Sequence, residues 1–142
     1  MTPKLHPKLA RDCHLLGGLE GCAVLLHRNA AVPWLILVPP GDATDLVELG
    51  PGDRDRLLDL GTRLGTHLRQ RHHAERINIA AIGNVVPQLH LHIVGRRPDD
   101  PCWPRPVWGH LEVERRYSAG EVTSIARDLA DSIGLVPTQA ED

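Results

Sequence analysis

Gln88, His90 and His92 alternate along the run Gln88-Leu89-His90-Leu91-His92-Ile93-Val94. In an extended strand successive side chains point to opposite faces, so these three polar groups share one face while Leu89, Leu91 and Ile93 take the other. Two imidazoles held about 7 Å apart along a strand suit three kinds of chemistry: a nucleophile with an oxyanion partner, an acid with a base, or a pair of metal ligands. Spacing alone does not choose among them, and a sheet face that merely carries histidine accounts for H-x-H equally well. A metal site needs a third and often a fourth ligand. The residues after Val94 are instead Gly95-Arg96-Arg97, and two guanidinium groups repel a cation while favouring phosphate or carboxylate. The pattern points to an anionic substrate, and no metal ligand is assigned.

The elements that must position these residues are legible in the hydrophobic periodicity. Leu5, Leu9 and Leu15/Leu16 are spaced as in a short helix over Lys4 to Leu16, with Gly17-Gly18 as its stop. Ala23 to Leu26 and Trp34 to Val38 are short apolar runs bounded by Asn29, Pro33 and Pro39-Pro40-Gly41, the pattern of an antiparallel strand pair. Pro51 to Ala74 carries Leu57, Leu60, Leu64 and Leu68 at helical spacing, with Pro51 in the first turn and Asp53 near the positive end of the dipole. Gly61 and Gly65 inside that helix cost about 1 kcal/mol each relative to Ala, which implies close packing there. Ile77 to Ala81 and Leu89 to Val94 read as two more strands, and Ser118-x-x-Glu121 caps a helix ending at Gly134. The last six to eight residues are expected to fray.

A chain of 142 residues with 42% apolar content suits a single domain over residues 1–142, with its core at about 20–110 and its C-terminal helix at about 119–133. A net charge of −2 with dispersed basic residues lacks the footprint of a polymeric nucleic-acid binder. No apolar run approaches the roughly 18 residues of a membrane span, and no signal peptide is read. Cys13, Cys22 and Cys102 form no paired motif, which fits a reducing cytoplasm. Cys22 reads as a small buried hydrophobe, and Cys13 beside His14 is too isolated to read as a nucleophile pair. His72-His73 read as cations near a negative helix end rather than as ligands. Trp103 and Trp108, in and beside a proline-rich segment, are read as covering a ligand or a subunit interface, or as packing on their own domain.

The stretch Ile77 to Arg96, with Asn84 after Gly83 and with the Gln88 to Val94 run, resembles the signature of the histidine triad (HIT) family, H-φ-H-φ-H-φ-φ with φ apolar. The Val32-Pro33 turn between two strands and the helix opened by Pro51 match that family's order of elements, so the resemblance covers about residues 20–110. It implies an α+β fold with an antiparallel sheet of about five strands and flanking helices, a homodimer, and a nucleotide bound over the motif strand. By the same resemblance His90 is the nucleophile that attacks a nucleoside phosphoanhydride or phosphoramidate, such as a diadenosine polyphosphate, and forms a nucleotidyl-histidine intermediate. A backbone carbonyl near Gln88 is expected to hold the other His90 nitrogen protonated, and His92 to contact phosphate or leaving-group oxygens. Asn84 is placed on a phosphate oxygen. Leu26, His27 and Asn29 are placed at the base and ribose, and Arg96, Trp103 and Trp108 at the substrate. No cofactor is required, and Mg2+ is expected only as company to a polyphosphate substrate.

Two positions depart from the pattern. Gln88 replaces the first histidine of the triad, and an amide orients a neighbour but does not titrate. Leu35 stands where many relatives carry a histidine two residues after the proline, so a proton must come from elsewhere, His27 or water. These departures keep open a second reading, a nucleotide-binding or interaction module with little turnover. A metal protein using His90 and His92 is the third.

Overall fold

The computed structural model describes residues 2–138. Pro7–Asp12 forms α1, followed by strands β1 (Cys13–Leu19), β2 (Cys22–His27) and β3 (Trp34–Val38). After the helix α2 (Pro51–His72) come β4 (Arg76–Ala81), β5 (Leu91–Arg96), α3 (Ala119–Ile133) and a short β6 (Val136–Pro137). The strands make one antiparallel sheet in the order β4-β5-β3-β2-β1-β6. The fold is α+β as the sequence implies, with six strands instead of about five.

Strand alternation sorts the side chains into two cores. Val24, Leu26, Leu35, Leu37, Leu91 and Ile93 face α2 and α3, where they meet Leu57, Leu60, Leu64 and Leu129. Ala23, Leu25, Trp34, Ile36 and Val94 face the other way, under α1 and the irregular segment that carries Cys102 and Val107. This second face holds the histidines. Helix α2 lies close against the sheet because a Cβ at Gly61 would come within 2.8 Å of the Leu91 side chain and one at Gly65 within 3.0 Å of Ile77. The capping box of α3 is present, with Ser118 accepting from the Glu121 N–H and Glu121 from the Ser118 N–H, and Gly134 closes the helix in the left-handed region at φ 80°.

The N-terminal expectation is corrected. The helix is six residues, and Leu15, Leu16 and Gly17-Gly18 belong to β1, paired with β2. The two glycines do not stop a helix. A Cβ at Gly17 would run into the Val136 carbonyl, so glycine lets β6 pair against β1. That pairing also orders Val136–Pro137 within the tail expected to fray, whose last four residues lie outside the described ones. Gln88 and His90 lie just ahead of β5, although the alternation of faces carries through them. At the end of α2, His73 takes the left-handed cap at φ 55°, and burial depresses the pKa of His72, so His72 is not held as a cation.

Candidate active site

His90 and His92 are both buried, and their rings stand edge to face with centroids 4.9 Å apart. A partner on Nδ1 sets the tautomer of each. His90 Nδ1 lies 2.7 Å from the Gln88 carbonyl oxygen. A carbonyl only accepts, so Nδ1 carries the proton and Nε2 keeps its lone pair. His92 Nδ1 accepts instead, from the Trp34 indole N–H at 3.0 Å, and the proton of the neutral ring therefore sits on Nε2. Burial above all, then His90 and His27, pushes the His92 pKa down to about 3. Side by side on one face are an imidazole that presents a lone pair and an imidazole that presents an N–H. That is the pairing a nucleophile and an oxyanion donor require.

Trp34 is the residue that sequence reasoning missed. Its sequence context shows only an apolar strand, yet it faces the histidines, because β3 pairs with β5 in the register Trp34 opposite Val94 and Ile36 opposite His92. Period-two alternation from Pro33 carried that signal. Leu35, a departure from the family pattern, points into the helix-side core. His27 stacks on Trp34 at 4.0 Å with 12° between the planes. Its Nδ1 accepts from the Asn29 N–H at 3.1 Å, and burial lowers its pKa. A neutral imidazole with its proton on Nε2 is a hydrogen-bond donor and a poor general acid. Trp108 packs edge-on against both His92 (5.4 Å) and Trp34 (6.0 Å), and its buried Nε1 has no acceptor among the described residues.

The other assigned residues divide. Asn84 is exposed in the loop before Gln88, and its amide has no partner among the described residues. The Gln88 side chain turns to the N-terminal segment, accepting from the His6 N–H at 2.7 Å and donating to the Lys4 carbonyl at 2.8 Å. It is the Gln88 main chain that meets His90. Four of the assigned residues are engaged within the fold. Leu26 packs in the helix-side core. Asn29 is consumed by structure, its Oδ1 accepting from Ala31 and Arg115 N–H groups and its Nδ2 donating to the Val113 carbonyl. Arg96 is buried and bound through two nitrogens to Asp100, with its third on Asn78, so its charge is neutralised within the fold. Trp103 lies over that guanidinium, 5.9 Å from it, rather than on the histidines. Among the described residues no three His, Cys, Asp or Glu side chains converge as metal ligands.

A family model described as HIT domain matches residues 8–99. The chain belongs to the HIT domain family. Among solved structures it is similar to a histidine triad protein from Bradyrhizobium japonicum, at 37% identity and a TM-score of 0.84 over 92% of this chain and 97% of that one. A histidine triad protein from Sinorhizobium meliloti is 36% identical with a TM-score of 0.85, over 92% and 96% of the two chains. One from Marinobacter aquaeolei is 37% identical with a TM-score of 0.84, over 92% and 95%. No curated protein matches. Against this HIT domain, the His90–His92 pair is the motif strand's contribution and Trp34 is the β3 residue set against it.

Proposed function

We propose that this HIT-domain protein is a nucleotide-binding hydrolase or nucleotidyltransferase acting on a phosphoanhydride or phosphoramidate through a nucleotidyl-His90 intermediate. The observation that carries the reading is the opposed tautomers of His90 and His92. His90 Nε2 attacks the phosphorus, the bond to the leaving group breaks with its electron pair on that group, and water supplies the proton. The Gln88 carbonyl stabilises the charge that develops on the His90 ring, and the His92 Nε2–H donates to a phosphoryl oxygen. The unpartnered N–H of Trp108 and the amide of Asn84 are further donors for that oxyanion or its substrate. Water then displaces nucleotide from His90. Magnesium would travel with a polyphosphate substrate.

The protein is proposed to be cytoplasmic, which its three unpaired, buried cysteines support; no helix among the described residues is long and apolar enough to cross a membrane. A homodimer is proposed through the open edge of β4, where Ile79 is exposed.

The test is incubation with diadenosine polyphosphates and an adenosine phosphoramidate, an alkaline quench and intact mass spectrometry. A nucleotidyl adduct on the parent that is absent from His90→Ala supports the reading; full turnover by His90→Ala overturns it. A second reading, a binding module with little turnover, is favoured by the commitment of the Gln88 amide to the N-terminal segment, which leaves no titrating group at the first triad position. Binding without adduct or product would select it.

A further inference from the structure

An open groove of about 600 Å3 begins where the His92–Trp34–His27 stack ends, with His27 in its wall. Its other walls carry Arg11, Arg28, Arg115 and Arg116. Two carboxylates border it, Asp12 and Glu114, but Asp12 is paired with Lys8 at 2.6 Å. Among the described residues no carboxylate lies within ion-pair distance of Arg28, Arg115 or Arg116.

The fold places the Arg28 guanidinium and the backbone that carries Arg115 and Arg116. Arg28 donates from Nε to the Arg11 carbonyl at 2.8 Å, and its Nη1 lies 3.3 Å from His14 Nδ1, which must accept because arginine has no acceptor. Arg115 and Arg116 ride on a strap held to the end of β2. Asn29 grips its backbone at Val113 and Arg115, the Ala30 N–H donates to the Arg115 carbonyl at 2.8 Å, and Asn29 and Arg116 form a backbone bridge. Like charges gathered on one wall repel one another, and an anion that bridges them relieves that repulsion. Planar guanidinium forks match phosphate oxygens.

We propose that this groove is an anion subsite, and that it binds a phosphate group of the substrate other than the one attacked by His90. The proposal rests on the reading of His90 for the direction in which the substrate lies, and on the groove alone for the anion. Two sources share the chemistry: a phosphate on the sugar of the nucleotide, or the far end of a polyphosphate chain.

Calorimetric titration of His90→Ala protein, which binds without turning over, with AMP, adenosine 3′,5′-bisphosphate, ATP and inorganic tripolyphosphate tests this. At least one of the two larger nucleotides should bind about tenfold or more tightly than AMP. The preferred nucleotide identifies the source. Arg28→Gln, and separately the strap variant Arg115→Gln/Arg116→Gln, should each remove most of that advantage and weaken tripolyphosphate, while AMP changes little. Thermal melts confirm that each variant is folded, and the strap variant keeps the test decisive if Arg28→Gln is not. Equal binding of all three nucleotides, or an advantage that survives both variants, overturns the subsite. Because the readout is binding, failure of the adduct experiment would leave this result standing.

Discussion

The indole N–H of Trp34 donates to Nδ1 of His92 across 3.0 Å, and this bond leaves the proton of the neutral His92 ring on Nε2. Trp34 is a positioning residue, since it acts through His92. Trp34→Phe keeps the aromatic packing on His27 and removes only the donor. It should cost about 1–3 kcal/mol of stability, because a buried acceptor is left unpaired. Turnover should fall about tenfold with KM changed far less, since the freed ring would spend part of its time in the wrong tautomer. Nitrogen-15 NMR of the imidazoles would show His92 moving from a single Nε2–H tautomer to a mixture; an unchanged spectrum would refute the role.

Gln88 contributes to His90 through its backbone and to the N-terminal segment through its side chain. Gln88→Ala should therefore lower stability by about 1–3 kcal/mol and leave turnover within about tenfold of the parent. Gln88→His, which restores the missing triad residue, should not raise turnover, because the side chain at this position serves the N-terminal segment at Lys4 and His6. Denaturation midpoints and kcat for the two variants decide the point, and a marked gain in Gln88→His would show that the sequence departure is catalytic after all.

Arg96 and Asp100 are a buried pair with side chains only 3% and 7% exposed. Asp100→Ala strands the guanidinium and should destabilise the fold by about 3–5 kcal/mol. In the protein that stays folded, KM for a nucleotide should be unchanged, because the guanidinium charge is committed to Asp100 within the fold. Urea denaturation beside steady-state kinetics separates these effects.

Stability should fall in acid. Burial lowers the His92 pKa from 6.5 to about 3, so below 6.5 the unfolded chain takes up a proton that the folded chain refuses. This contribution is complete above the unfolded value and is lost as the pH drops toward 3, at about 1.4 kcal/mol per pH unit. His14, His27, His67 and His72 are depressed in the same direction and steepen the fall. Urea melts at about pH 7 and about pH 5 should show a smaller loss for His92→Gln than for the parent; equal losses would place the proton elsewhere.

The strongly periodic elements were legible because their signals are local. The leucines of α2, the Ser118–Glu121 capping box and the alternation around His90 each lie within a few residues, and Gly61 and Gly65 announced the close approach of the sheet. The reading of Lys4 to Leu16 as helix failed because its leucines fit two periods. Pairing with β2 and β6, far along the chain, decided for a strand.

The sequence by itself determined that an antiparallel sheet would carry His90 and His92 on one face, since alternation is a property of the strand backbone. Tertiary structure alone decided what each imidazole does. The register of β3 against β5 brings Trp34 to His92, while the path of the N-terminal segment draws the Gln88 amide away and leaves its carbonyl to His90. It also decided which charges are free, committing Arg96 to Asp100 and leaving Arg28, Arg115 and Arg116 together on one groove. Hydrogen-bond partners and charge pairing depend on where distant segments land, and local spacing carries no record of that.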